Sequence, residues 1–193
     1  IAPVAADTPS MKLPDPVFQP LTRNYAVIVT GVGGTGVVTI GAILGMAAHL
    51  EGKGCGMIDM AGLAQKGGAV FSHVRLAPTP DDIHAIRVSA GEADLVLGCD
   101  LVVTGSRKVL AGVRPGGSFV VVNTQEVMPG DFTRKPDYDL GAERIKKALR
   151  EAAGSDGVAF VDATQIASAL LGNAIGANMF MLGYAFQLGK VPL

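Results

Sequence analysis

Tyr25–Leu50 reads YAVIVTGVGGTGVVTIGAILGMAAHL, and its interpretation decides the fold. The β-branched and apolar run predicts a strand ending at Thr30, and a glycine cluster follows at once. From Gly36 the apolar positions continue with helical length and spacing. Strand, tight turn and helix make the first half of a βαβ unit. Gly31, Gly33 and Gly36 fit G-x-G-x-x-G, with Gly34 as an additional glycine. In such a turn one glycine reverses the chain and another lets backbone N–H groups approach an anion. The last allows helix and strand to pack closely. The amides of the first helical turn, at the positive end of the helix dipole, then face the crevice, where a diphosphate is the usual occupant.

Downstream, glycines at 52, 54 and 56 mark the helix exit and the entry to a second strand, GMIDM, with Asp59 at its end. In a dinucleotide fold a carboxylate here meets a ribose hydroxyl. Capping of the following turn through the Asp59 side chain is an equal alternative.

The segment AGLAQKGGAVFSHVRLA is the least generic of the chain. Residues 61–64 fit a short helical turn, Gln65–Gly68 breaks it, and Ala69–Ala77 reads as a strand. Its alternation places Ser72, Val74 and Leu76 on one face and Phe71, His73 and Arg75 on the other. Lys66 beside Gly67 and Gly68 can bind an anion. By local chemistry, a surface hairpin with a solvated lysine is the simpler account. HAIRVS (84–89) reads as a strand pairing back on 69–77, giving an antiparallel hairpin around 69–89.

ADLVLG then forms a short buried strand before Asp100, and a helix is expected to run from there to about Gly112. SFVVVN is a continuous apolar strand of the kind covered on both faces. Asn123 and Thr124 at its C-terminal end either contact a ligand or begin the next turn. Gln125–Tyr138 reads as a long loop and Leu140–Ala153 as an amphipathic helix with a charged solvent face. After the strand VAFVD, the charge-free stretch 163–189 reads as one buried helix or a broken pair. The fold class is α/β: a Rossmann-like, mainly parallel sheet with helices on both faces.

The length of 193 residues fits one domain, and 49% hydrophobic residues supply a substantial core. A net charge of -1 with no basic cluster gives no case for nucleic-acid binding. Cys55 and Cys99 lack the C-x-x-C company of an iron–sulfur site, and no disulfide framework is evident; this favours a reducing compartment. The three histidines show no metal-ligand spacing, and Thr35–Gly36 stands where a P-loop needs Gly-Lys. Five prolines in residues 1–23 suggest a linker, expected to be poorly packed and dispensable, ahead of a domain spanning 24–193. Asn173, Asn178, Gln165 and Gln187 interrupt 163–189, which argues against a membrane span.

GVGGTGVVTIGAILGMAA, the glycine pair of QKGGAVFSHVRLA, ADLVLGCD and GNAIGANMFMLGYAFQLG, in that order, resemble the γ-type domain of 2-oxoacid:ferredoxin oxidoreductases. Within that family the chain is most similar to the large fused bacterial indolepyruvate ferredoxin oxidoreductases, over Asn24–Leu193. The resemblance implies a part in oxidative decarboxylation of a 2-oxoacid, such as indolepyruvate or another aryl pyruvate, to an acyl-CoA with reduction of ferredoxin. It places thiamine diphosphate and the iron–sulfur clusters on other domains. It implies that the isolated chain is inactive, carries no catalytic residue or metal site of its own, and works in the cytoplasm within a homo-oligomeric assembly. Its part is to wall the active-site cleft, with Gly31, Gly33, Gly34, Thr35, Gly36, Lys66, Gly67 and Gly68 facing CoA or the thiamine site. Many family members carry Gln at position 35 and Arg at 66; the lysine keeps the charge but lacks the guanidinium fork. Two other readings fit the residues: a stand-alone NAD(P)-binding domain, and a purely structural docking domain.

Overall fold

The structure, a computed structural model, describes residues 13–34, 36–61, 68–125 and 141–193. Six strands form one sheet: β1 (Tyr25–Val32), β2 (Gly54–Ala61), β3 (Ala69–Ala77), β4 (Leu95–Gly98), β5 (Phe119–Asn123) and β6 (Val158–Val161). Their order across the sheet is β2-β3-β1-β4-β5-β6. The β1–β4, β4–β5 and β5–β6 pairs are parallel, whereas β3 runs antiparallel to both β1 and β2. The helices are α1 (Val37–Leu50), α2 (Leu101–Thr104), α3 (Arg107–Leu110), α4 (Ala142–Ala153), α5 (Ala163–Leu171) and α6 (Ala177–Gln187).

The mainly parallel α/β reading holds, and the run FVVVN explains its centre. Val120, Val121 and Val122 are all fully buried because both faces of β5 are covered. On one side Val27, Val29, Val74, Leu95 and Leu97 pack under Ile40 and Leu44 of α1 and Met181 and Ala185 of α6. On the other, Ile28, Val96 and Val120 pack under Leu101, Val109 and Leu149 of α2, α3 and α4. The face assignment of β3 also holds: Val74 and Leu76 lie in the first core, and Phe71 packs against the second.

Several expectations are corrected. β1 runs two residues past Thr30, so Gly31 is a strand residue opposite Val70 and the turn proper begins at Gly33. β2 likewise runs on to Ala61, beyond Asp59. No strand forms over residues 84–89; β3 is already paired on both edges, and its antiparallel partners are β1 and β2. The single helix expected to reach Gly112 is two short ones, α2 and α3. The charge-free stretch is a broken pair, α5 and α6, joined through a 3-10 turn at Ala174–Gly176. No helix among the described residues is long and apolar enough to cross a membrane.

Residues 13–23 are mostly exposed yet touch the domain at several points. The Phe18 ring lies 4.9 Å from that of Phe186, and Gln187 donates to the carbonyl of Pro14 at 2.6 Å. Arg23 donates to the buried carboxylate of Asp94 at 2.7 Å, which also takes the Ala26 N–H and Arg114. The expected loop at 125–138 lies outside the described residues except for Gln125.

Candidate functional site: the glycine turn at the C-terminal edge of the sheet

The parallel strands end on one edge, where α1, α2 and α5 begin and where open α/β sheets place ligands. Beneath the β1–α1 turn the support is polar. The Thr30 and Thr104 hydroxyls lie 2.9 Å apart, both buried, and Cys99 N–H donates to the Thr30 carbonyl at 2.8 Å. This fixes the end of β1 against β4. Gly34 and Gly36 then take φ of 88° and 91°, a left-handed backbone that side chains other than glycine's rarely accept. A Cβ added at Gly34 would meet nothing within 4 Å, so the outer side of the turn is open.

The structure brings two of the sequence-derived segments together. Gly33 N–H donates to the carbonyl of Gly68 at 2.8 Å, stitching the glycine turn to the start of β3. That amide is therefore spent on the protein and is not among those that can meet a ligand. Thr35, Lys66 and Gly67 lie outside the described residues. The remaining donors belong to the far side of the turn and to the first turn of α1. Gly36 is the N-cap of that helix, with no side-chain cap and no acidic residue in the first turn. The first turn itself thus brings no carboxylate to the positive end of this 14-residue helix.

Asn178 is the residue sequence reasoning missed. It is buried in the first turn of α6, and its amide nitrogen lies 3.9 Å from where a Cβ of Gly36 would sit. Its signal was present, since a buried amide inside a charge-free stretch needs a polar neighbour; the sequence reading used it only against a membrane span. The apolar residues around these helix starts are exposed: Val38 on α1, Met179 on α6 and Ile175, at 87%, just before α6.

Asp59 does not join the site. β3 is inserted between β1 and β2, so the end of β2 lies two strand spacings, about 9–10 Å, from β1. Asp59 is exposed on this edge strand, paired in register with Ser72. The ribose contact assumed β2 beside β1, and the observed strand order removes it. Asn123 is buried and occupied by the fold, as described below; Thr124 N–H bonds the Val161 carbonyl at 2.9 Å.

The thiols are not reactive groups. Burial raises Cys55, and burial with the neighbouring Asp100 pushes Cys99 up to about 12, so both stay protonated at neutral pH. Among the described residues no three His, Cys, Asp or Glu cluster around a metal-sized position. A cavity of about 650 Å³ lies at the opposite edge of the sheet, between residues 19–23, Tyr25, Phe119 and Lys190. It is remote from the glycine turn.

Residues 26–193 match the family described as Pyruvate ferredoxin/flavodoxin oxidoreductase. The indolepyruvate oxidoreductase subunit IorB of Methanothermobacter thermautotrophicus is 32% identical over 170 residues, covering 88% of this chain and 82% of that protein. The pyruvate/ketoisovalerate oxidoreductases common subunit gamma of Thermococcus litoralis is 32% identical over 153 residues, 79% of this chain and 71% of its own length. The crystal structure of pyruvate oxidoreductase subunit PORC from Thermotoga maritima superposes with a TM-score of 0.60 at 21% identity, over 88% of this chain and 79% of that one. A 2-oxoglutarate:ferredoxin oxidoreductase from Magnetococcus marinus, solved with 2-oxoglutarate, coenzyme A and succinyl-CoA, shares the fold at a TM-score of 0.59 and 17% identity. The match covers 85% of this chain and 24% of that larger one. With the family matched over nearly its whole length and a glycine turn at the ligand-binding edge of a mainly parallel sheet, the chain belongs to the pyruvate ferredoxin/flavodoxin oxidoreductase family, as a γ-type component of a 2-oxoacid:ferredoxin oxidoreductase.

Proposed function

We propose that this chain, with residues 24–193 as its γ-type unit, walls the cleft of a 2-oxoacid:ferredoxin oxidoreductase and holds the phosphates of CoA on its glycine turn. The substrate class is an aryl 2-oxoacid such as indolepyruvate, in keeping with the IorB relatives. Thiamine diphosphate and the iron–sulfur clusters sit on other subunits or domains of a cytoplasmic, homo-oligomeric assembly, and ferredoxin takes the electrons. CoA, when bound, supplies the thiol that accepts the acyl group.

One observation carries the reading: α1 begins at a left-handed glycine with no side-chain cap and no acid in its first turn. A phosphate fits there because backbone N–H groups converge on it and no carboxylate repels it. The open space outside Gly34 gives it room. The chain's own work is binding and exclusion. Turn amides orient the phosphates, the Gly33–Gly68 bond keeps the turn rigid, and Val38, Ile175 and Met179 keep water from the rim once neighbouring subunits close over it. Lys66, two residues before Gly68 in sequence, is proposed to add a positive charge for the phosphates.

The test is calorimetric titration of CoA, NAD and NADP onto the assembled enzyme, with the wild-type chain and with Gly36→Asp and Asp59→Ala. CoA is expected to bind, to lose at least tenfold in affinity in Gly36→Asp, and to be unaffected by Asp59→Ala. NAD binding abolished by both substitutions would instead establish a dehydrogenase. Wild-type affinity in Gly36→Asp would reduce the turn to a packing element.

A further inference from the structure

Gly189 lies just past the end of α6 with φ of 68°, in a corner whose backbone is held from within. The amides of Leu188, Gly189 and Lys190 donate to the carbonyls of Tyr184, Phe186 and Ala185. The chain beyond is tied too: Tyr25 Oη donates to the Lys190 carbonyl at 2.7 Å, and Lys53 Nζ to that of Pro192 at 3.0 Å. Against this fixed corner lies the backbone of Val17. A Cβ built on Gly189 would overlap the Val17 carbonyl oxygen, so a side chain there displaces the segment. Two side-chain contacts flank the seat. Gln187 Nε2 donates to the Pro14 carbonyl at 2.6 Å, and the Phe18 ring lies 4.9 Å from that of Phe186.

The other end of the segment is anchored. Arg23 grips the buried carboxylate of Asp94 with both terminal nitrogens, at 2.7 and 3.2 Å, and Leu21 packs on the first core. Between anchor and seat the chain is in neither helix nor strand, and Val17 is 84% exposed. Pro14, Pro16 and Pro20 lack the N–H that a ladder needs, and they stiffen the piece that carries them. Gln19 and Pro20 form part of the wall of the 650 Å³ cavity.

We propose that residues 14–20 form a hinged latch: fixed at Leu21 and Arg23, seated on Gly189, and lifting as one piece from the cavity they help to wall. Stiffness makes the contacts at Pro14, Val17 and Phe18 form and break together. Opening is local, because it breaks few apolar contacts and no backbone ladder. Closed, the latch narrows the cavity and holds the C-terminal end of α6; open, it exposes both. It works at the edge of the sheet opposite the glycine turn, so its failure would leave the reading of that turn untouched.

The test is native-state digestion of the full chain with a trace of chymotrypsin, following cleavage after Phe18 by mass spectrometry. Where a site opens and recloses quickly, cleavage reports the open population. Gly189→Ala is compared with Gly172→Ala, a helix-end glycine of nearly the same φ, 73°, whose Cβ would meet nothing within 4 Å. Backbone strain is matched, and only the seat differs. Cleavage after Phe18 is expected to rise about tenfold or more in Gly189→Ala, by steric overlap, and to stay within about twofold of wild type in Gly172→Ala. The bond after Tyr25, in β1, should resist in both. Wild-type cleavage in a folded Gly189→Ala overturns the latch. Equal acceleration in the two variants also overturns it and assigns the effect to strain. Acceleration after Tyr25 as well overturns the hinge at Leu21 and Arg23. Gln187→Ala removes only the bond to Pro14 and leaves the backbone unchanged, so it serves if Gly189→Ala does not fold. Cleavage about fivefold faster, the worth of one hydrogen bond, supports the latch, and a wild-type rate overturns it.

Discussion

α1 and α5 begin on the same edge of the sheet, each directly after a parallel strand, yet their N-termini are finished in opposite ways. α5 starts at Asp162, whose carboxylate accepts the Gln165 N–H at 2.9 Å. Its first amide, Ala163 N–H, is taken by Asn123 at 3.1 Å. Two side chains therefore satisfy two of the four donors that a helix start leaves open. α1 starts at Gly36, with no side-chain cap. A capping carboxylate fills the position an anion would take and repels one by charge. The α5 start is thus closed by side chains in the service of stability, whereas the α1 start has no such cap.

The largest effect is expected where the closed start is tied. Asn123 is buried and bonds four groups: Cys99 O at 3.3 Å, Thr164 Oγ1 at 2.8 Å, and the N–H groups of Ala163 and Gln125. Asn123→Ala leaves buried partners unsatisfied and should cost about 2–4 kcal/mol in denaturant unfolding, more than one ordinary bond. CoA affinity should be unchanged. Next, Asp162→Ala removes one cap and should cost about 1 kcal/mol. If it also creates phosphate binding at α5, the contrast between the two starts comes from the carboxylate alone.

Gly36→Asp approaches the comparison from the other side by giving α1 the residue type that begins α5. At φ 91° the side chain is strained, but Asp tolerates the left-handed region better than most, so the cost should be about 1 kcal/mol, the low end of that penalty. The main loss falls on CoA affinity. A thermal melt close to wild type beside a tenfold weaker titration separates the two effects.

The glycine turn was legible because its requirements are local. Strand length, positive-φ glycines and an apolar helix all lie within twenty-six residues, Tyr25–Leu50. The covered sheet was legible in FVVVN for the same reason. Asp59 failed because its role depends on strand order, and order is set by which edges pair across the whole sheet. The alternation in Ala69–Ala77 fits a central strand as well as a hairpin edge, so nothing in it announced insertion between β1 and β2. The contacts of residues 13–23 went unread for a different reason. Their prolines describe backbone stiffness, and neither the Phe18–Phe186 contact nor the Arg23–Asp94 pair has a sequence period to reveal it.

The smallest effect should come from pH, and it distinguishes the two starts again. His73 sits at the centre of β3, the strand that begins just after Gly68 and thereby holds the glycine turn. Its Nδ1 accepts the Val88 N–H at 2.9 Å, which requires that nitrogen to be unprotonated. Burial lowers its pKa below the ordinary 6.5, and Lys108 from α3, Arg87 from the loop and Arg75 on β3 itself add to the shift. Glu92, which faces this cluster, is already paired with Arg75 at 3.2 Å and does not offset it. The unfolded chain therefore binds the proton more readily than the folded one. The stabilisation is present above about pH 6.5 and is lost as pH falls through the folded value, with a slope of at most about 1.4 kcal/mol per pH unit for one group. Acidification should loosen β3 and the Gly33–Gly68 bond before it touches the α5 start. Hydrogen exchange at Gly33 should accelerate between pH 6.5 and 5 relative to Gln165, after correction for intrinsic rates, and His73→Gln should remove that difference. Equal acceleration at both amides would mean that the two ends of the edge respond as one unit, and that the open start is no more dependent on β3 than the closed one.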